Sequence, residues 1–206
     1  MPTDIFIIGA GGHGKVVYDA YCCVYPDVNV QVWDDSSELS GSVFLDKEIL
    51  APVATEKLPT MGHIAIGDGV IRERWSDFLT KNSRQLISVL HPDAIISKWS
   101  VFEDGCFIAA GAVLGPNASL GKSVIVNHGA VVDHDCIIGA YTHVAPNATL
   151  GGGVNIGKQC LIGAGAILLP GVSVGDKVIV GAGAVVVNDI SSDKTVYGVP
   201  AKCLNG

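Results

Sequence analysis

From Ile95 to Ile190 the chain repeats every six residues, in sixteen consecutive hexads that begin IISKWS, VFEDGC, FIAAGA and end IVGAGA, VVVNDI. The second position is apolar in all sixteen, from Ile96 and Phe102 to Val180 and Val186. The sixth is small or aliphatic, mostly Ala, Cys and Val, and the third is often Gly. An amphipathic helix needs a period near 3.6 and a half-buried strand a period of 2. A period of six serves neither, but it does serve a chain wound as a parallel β-helix, each hexad a short strand plus a corner. The period does not give the number of hexads per coil; if three close one coil, residues eighteen apart stack about 4.8 Å from each other along the axis. The second-position side chains fill the interior, at about 1.5–3 kcal/mol each if fully buried. The small sixth-position residue sits at the corner. Gly at the third position is expected to supply turns that need positive φ.

The first ninety residues contain no hexads and predict a small α/β domain with a parallel sheet. Ile5–Ile8 reads as a strand, Lys15–Cys23 as a helix, Val28–Trp33 as a second strand and His63–Ile66 as a third. A helix over Val70–Lys81 and a fourth strand over Gln85–Leu90 follow. His91-Pro92 marks the boundary, because the residue before proline leaves helical geometry. Two domains are therefore expected, 1–92 and 93–206.

Between the first strand and helix, Gly9, Gly11 and Gly14 satisfy GxGxxG, and Asp34 lies twenty residues past Gly14. That is the dinucleotide fingerprint with its acidic residue. The glycines let backbone approach a phosphate pair, and a helix N-terminus favours an anion. Ninety residues cannot supply two mononucleotide-binding halves. One nucleotide diphosphate therefore fits better than NAD, with a purely structural turn as the alternative.

In the repeats, Asn127 to Asp135 (NHGAVVDHD) breaks the otherwise bland outward pattern, and His143 follows. Histidine titrates near neutrality and can take a proton from an attacking amine or hydroxyl. A neighbouring carboxylate, Asp133 or Asp135, can orient the imidazole and raise its basicity. Adjacent strand residues point oppositely, so Asp135 reaches His134 only if the pair sits at a corner. His128, His134 and His143 are separated by 6, 9 and 15 residues, none a multiple of eighteen. They do not stack on one face, so no metal is expected.

Composition narrows the partners. A net charge of −7 without a basic run argues against nucleic acid and anionic membranes. No run of eighteen apolar residues predicts membrane insertion, and Met1-Pro2-Thr3-Asp4 does not read as a signal peptide. The six cysteines form no CxxC, and three occupy sixth positions (Cys106, Cys136, Cys160) as small core residues. They are read as reduced thiols of a cytoplasmic protein.

These residues carry a resemblance. The hexads look like the left-handed β-helix of the hexapeptide-repeat acyltransferases. The set GAGGHGK, AIGD, LHPDA, VDHDCIIGAYTHVAP and GVPAK is narrower. It resembles the sugar O-acyltransferase (sialic acid O-acetyltransferase) family, and within it the PglD-like N-acetyltransferases of nucleotide-linked 4-amino-4,6-dideoxy sugars, the bacillosamine-pathway and GDP-perosamine enzymes. The resemblance implies a Rossmann-like N-terminal domain and a left-handed β-helix, assembled as a homotrimer with active sites between adjacent prisms. It implies acetyl-CoA as co-substrate and a nucleotide-activated amino sugar as acceptor, UDP-linked first, with GDP-perosamine or a dTDP sugar as alternatives, in bacterial surface-glycan synthesis. His134 would be the general base and Asp135 its acidic partner. Gly11, Gly12, His13, Asp34, Asp35 and Gly67 would face the sugar nucleotide. His143 would contact the thioester region, and Gly152, Ala164 and Ala182 the pantetheine arm. Some relatives carry Glu at the position of Asp135, and many have Thr where His128 stands.

The implied chemistry is direct transfer. The neutral 4-amino group attacks the thioester while His134 takes its proton, with no Ser or Cys placed for a covalent intermediate. Three rivals have their own discriminators. An acceptor panel separates O-acetylation of sialic acid or another sugar hydroxyl. Metal analysis separates a zinc hydratase like the gamma-type carbonic anhydrases. Acetyl-CoA binding separates a non-enzymatic sugar-nucleotide sensor.

Overall fold

The computed structural model describes residues 4–203, so Met1–Thr3 lie outside the described residues. The N-terminal unit is a six-stranded sheet with two helices. In chain order these are β1 (Asp4–Ile8), α1 (Gly12–Val24), β2 (Asn29–Trp33), β3 (Val43–Phe44), β4 (Lys47–Leu50), β5 (Met61–Ile64), α2 (Gly69–Lys81) and β6 (Gln85–Leu86). The spatial order is β3-β4-β2-β1-β5-β6, parallel except for the β3–β4 hairpin. β1 is central, and Ile5, Phe6, Ile7 and Ile8 are all buried because both faces of the sheet are covered.

Several elements differ from the sequence reading. α1 starts at Gly12, so Gly12, His13 and Gly14 form the first helical turn rather than a loop. The third strand falls at Met61–Ile64, two residues early. The β3–β4 hairpin was not legible, being only two and four residues long. The expected fourth strand over Gln85–Leu90 is two strands. Gln85–Leu86 extends the sheet beside β5, whereas Val89–Leu90 pairs with Phe107–Ile108 of the repeats.

The hexads form a left-handed parallel β-helix. Each contributes a two-residue strand at its first and second positions, paired in parallel with the strands eighteen residues before and after. The first face carries Val89–Leu90, Phe107–Ile108, Ile125–Val126, His143–Val144, Leu161–Ile162 and Ile179–Val180, then Thr195–Tyr197. The second runs from Ile95–Ile96 to Val185–Val186, the third from Val101–Phe102 to Ser173–Val174. From Ile108 to Val186 every second-position side chain is at most 4% exposed. Ile96 and Phe102 are not buried, because the first coil is the open end of the stack. Cys106, Cys136 and Cys160 pack in the core as free thiols.

Positive φ occupies the fifth position, not the third. Every fifth-position residue from Gly105 to Gly183 has φ > 0, including Asn117, Asp135 and Tyr141. Third-position glycines answer to a close approach instead. A Cβ on Gly163 would lie 2.6 Å from the Ala182 nitrogen and the Val180 oxygen of the next coil.

The N-terminal unit docks on the first face. There the outward-pointing Val89, Phe107 and Ile125 join Ile5, Ile7, Val17, Tyr18 and Tyr21 in one buried cluster. Among the described residues no element packs over the second face, whose outward residues Ile95, Val113, Val131, Thr149, Ile167 and Val185 are exposed or half-buried.

Candidate active site

The main site residues fall into two groups, one at a corner of the prism and one around a pocket of the N-terminal unit, against the first face. At the corner between the second and third faces, Asp135 has φ +60°. This turn folds its side chain back so that Asp135 Oδ2 lies 2.8 Å from His134 Nδ1. The corner is the geometry that the neighbouring pair required. Asp135 Oδ1 accepts from Asn117 Nδ2 at 3.0 Å. Asn117 is eighteen residues earlier and stacks directly against it, so a search at that interval would have found it. Asp133 turns instead to the His134 backbone N–H, at 2.7 Å. The carboxylate raises the His134 pKa above its ordinary value, first through the hydrogen bond and then through the nearby Asp133 charge. Asp135 is held low by the same bond and by Asn117. The Nδ1 proton thus faces Asp135, leaving Nε2 as the basic atom of a half-exposed ring. Gly152 lies one coil on, and a Cβ there would run into His134 Nε2.

The second group surrounds a pocket of about 490 Å³ at the open end of β1 and β5. Gly11, Gly12, His13, Asp34, Asp35 and Gly67 all line it, with Ile66, Ile71 and Trp75 as an apolar wall. Gly11 is the N-cap of α1 and has no side chain to cap it, and the first turn carries no acid. Its free N–H groups and the helix dipole favour an anion. A Cβ on Gly11 or Gly12 would meet nothing within 4 Å, so that space belongs to the pocket. Gly14, by contrast, presses against the Gly9 carbonyl where helix and strand pack. Asp34 uses one oxygen on the Ala10 N–H (2.8 Å) and the other on the Ser36 N–H (3.0 Å), so it also braces the glycine loop.

His143 belongs to this second group rather than to His134. It projects from the first face beside Gly67, its ring 6.0 Å from that of His13. The Asn127 amide oxygen accepts the His128 N–H at 2.9 Å, which turns Asn127 Nδ2 toward His143 Nε2 at 3.2 Å. Nε2 is therefore the acceptor and Nδ1 carries the proton. Burial, and then the Arg72 charge, lower the His143 pKa to about 4, against a hydrogen bond with the Gly67 backbone. His13, half-buried edge-on against Phe107, is lowered to about 3 for the same first reason. Both are neutral at physiological pH. His128 is exposed and makes no side-chain bond among the described residues.

Ala164 and Ala182 stack on the corner between the first and second faces, joined by the Gly183 N–H to the Ala164 carbonyl at 2.8 Å. They share that corner with His128, while Gly152 shares the next with His134. The C-terminal segment folds back on the last coil, with Lys202–Cys203 antiparallel to Val196–Tyr197. Among the described residues no group of three or more His, Cys, Asp or Glu could hold a metal ion. No described helix is long and apolar enough to cross a membrane.

A β-helix of hexads with an α/β unit on one face is the architecture of a class of acyl-transfer proteins, and the comparisons give the family. Residues 4–79 match the PglD N-terminal domain, residues 117–152 the bacterial transferase hexapeptide (six repeats), and residues 153–187 the hexapeptide repeat of succinyl-transferase. The acetyltransferase domain of PglB from Neisseria gonorrhoeae, solved with acetyl coenzyme A, is 33% identical with a TM-score of 0.89, over 99% of this chain and 100% of that one. GDP-perosamine N-acetyltransferase from Caulobacter crescentus, solved with CoA and GDP-perosamine, is 32% identical with a TM-score of 0.91, over 98% and 97%. WeeI from Acinetobacter baumannii is 29% identical with a TM-score of 0.88, over 98% and 100%. The chain belongs to the PglD-like family of hexapeptide-repeat acyltransferases.

Proposed function

We propose that the protein is an acetyl-CoA-dependent N-acetyltransferase acting on the 4-amino group of a nucleotide-linked 4-amino-4,6-dideoxy sugar. The observation that carries this is the pairing of an Asp-oriented, exposed histidine with an uncapped helix N-terminus in a pocket large enough for a nucleotide. The relatives solved with acetyl coenzyme A and with CoA and GDP-perosamine support it, and favour N- over O-acetylation.

The diphosphate sits on the α1 N-terminus, which directs the sugar toward His143 and the adjoining corner. The neutral amine attacks the thioester carbonyl, and His134 Nε2 takes the proton as the C–N bond forms. When the C–S bond breaks, the imidazolium returns that proton to the leaving CoA thiolate. The exposed Ala164 and Ala182 leave room for a pantetheine arm along their corner. Acetyl-CoA as co-substrate fits a cytoplasmic reaction.

His134 and the pocket occupy separate edges of one chain, so the complete site needs a second copy. The uncovered second face is the reason to expect three copies. Its outward positions hold five aliphatic residues and Thr149, whereas the third face shows Ser119, Asn155 and Ser173 among its five. Burying the second face about a threefold axis brings the His134 edge of one subunit against the Ala164 edge of the next.

CoA-thiol release from acetyl-CoA with UDP-, GDP- and dTDP-linked 4-amino-4,6-dideoxy sugars, wild type beside His134→Ala, tests the reading. Turnover on one sugar, lost in the variant, is the expected result. No turnover on any of them, with acetyl-CoA still bound, overturns the N-acetyl assignment.

A further inference from the structure

The nucleotide pocket has an electrostatic deficit. Its lining includes Asp34 and Asp35 but no Lys or Arg. A nucleotide diphosphate would have to meet two carboxylates with only a helix N-terminus to offset them. The compensating charge lies directly behind the wall. Arg72 on α2 is 1% exposed, and all its hydrogen bonds go to backbone carbonyls. Nη1 donates to Ile66 (2.8 Å) and Gly67 (2.9 Å), both residues of the pocket wall. Nε donates to Ser123 (2.9 Å), and Nη2 to Tyr141 (2.5 Å) and Thr142 (3.4 Å), all in the β-helix. No carboxylate is among these partners. A buried cation without a bonded anion is costly, and the rigid five-donor fork is what lets one side chain join two domains.

We propose that Arg72 is the positioning cation of the nucleotide-sugar pocket: from behind the wall it holds the Ile66 and Gly67 carbonyls and supplies the positive charge that the lining lacks. This rests on the reading of the pocket as a nucleotide-diphosphate site. The groups around Arg72 are consistent with it. Asp68 is the carboxylate whose charge acts most on Arg72, but its hydrogen bond goes to the Ile71 N–H at the start of its own helix, and the neighbouring Glu73 is taken by Gln159. His13 from α1, His63 from β5 and His143 from the β-helix are disfavoured as cations first by burial, with the Arg72 charge adding to it in each; on His13 the other imidazoles, His143, His63 and His128, act as well. Cys106 and Tyr141 are the remaining titratable neighbours, and burial keeps both protonated.

The test compares Arg72→Gln, which removes the charge, with Arg72→Lys, which keeps it on fewer donors. UDP, GDP, dTDP and acetyl-CoA are titrated calorimetrically, and the imidazoles are followed by NMR from pH 4 to 8. Arg72→Gln should bind the preferred nucleotide on the order of tenfold more weakly, with acetyl-CoA unchanged and His143 titrating at higher pH. Arg72→Lys keeps the charge while giving up the fork, so it should lose clearly less nucleotide affinity than Arg72→Gln, roughly threefold against wild type, with its imidazoles nearer to wild type. Unchanged nucleotide affinity in a folded Arg72→Gln overturns the proposal. So does an equal loss in both variants, which is what a purely structural clamp would give. If Arg72→Gln does not fold, a folded Arg72→Lys that has lost on the order of tenfold in nucleotide affinity overturns it, and retained affinity supports it. Wild-type protein that binds none of the three nucleotides overturns the functional reading instead. Arg72 is then judged by the imidazoles alone, and an unmoved titration in Arg72→Gln counts against it.

Discussion

At the scale of the residue, the His134–Asp135 pair decides what the corner can do. Asp135 accepts the Nδ1 proton and holds the imidazole more basic than usual, so the rate should depend on pH in a definite sense. As a base, His134 works only when deprotonated, so kcat/KM should rise with pH. Its midpoint should lie above the 6.5 of an ordinary imidazole. Asp135→Asn removes the anionic acceptor, and its profile should fall back toward that value with lower turnover. His134→Ala should lose about 10²–10⁴-fold in turnover with acetyl-CoA binding intact. Stopped assays across pH 5–9 on the three proteins read both effects. Gly152 gives a gentler perturbation. Its added Cβ would occupy the space of the imidazole tip, so Gly152→Ala should displace the ring and lower kcat by roughly 10–100-fold. Circular dichroism and KM for acetyl-CoA should barely move. The His134–Asp135 contact was legible in the sequence as a candidate pair because a regular repeat makes polar interruptions conspicuous. The environment of His143 was not. Its neighbours Gly67 and His13 come from a different domain, and no period links them to it.

At the scale of the element, the hexads declared themselves because the same sterics recur at each of the sixteen. The role of individual positions was harder to read. A glycine that answers to a close neighbour looks the same in sequence as one that answers to φ, and only the stacked coils separate them. Gly163→Ala should therefore destabilise by about 1–3 kcal/mol, since the contacted atoms are backbone and cannot rotate away. At this chain length that lowers the melting midpoint by roughly 2–4 °C per kcal/mol, which calorimetry would resolve. The start of α1 sets the opposite relation between stability and function. Gly11 leaves the helix without a side-chain cap, which the proposed diphosphate would use. Gly11→Asp would cap the first-turn N–H groups internally and gain a few tenths of a kcal/mol. The same carboxylate would repel a diphosphate. The variant should melt slightly higher and bind nucleotide much more weakly, as paired thermal and calorimetric titrations would report.

At the scale of the whole molecule, the separation of the two half-sites follows from the winding. The pocket rests against the first face, and His134 stands one face further round the coil, beyond the second. Neither a longer side chain nor a loop bridges them, because the hexads from Ile95 to Ile190 carry no insertion. Sequence alone could place both groups but not their distance, since the coil that keeps them apart appears in the chain only as repetition. A composite site makes a prediction that a self-contained chain does not. His134→Ala keeps a sound pocket, and Gly11→Asp keeps a sound base. Co-expressed with distinguishable tags and purified as mixed oligomers, the two inactive chains should recover activity. Random mixing gives a neighbouring pair with the right order about one time in four, so about a quarter of wild-type turnover is expected. A self-contained site gives none, since every chain then carries its own lesion. A charge on the second face, Ile167→Asp, supplies the control. It should break the assembly in light scattering and abolish the recovered activity, although residue 167 touches neither half-site.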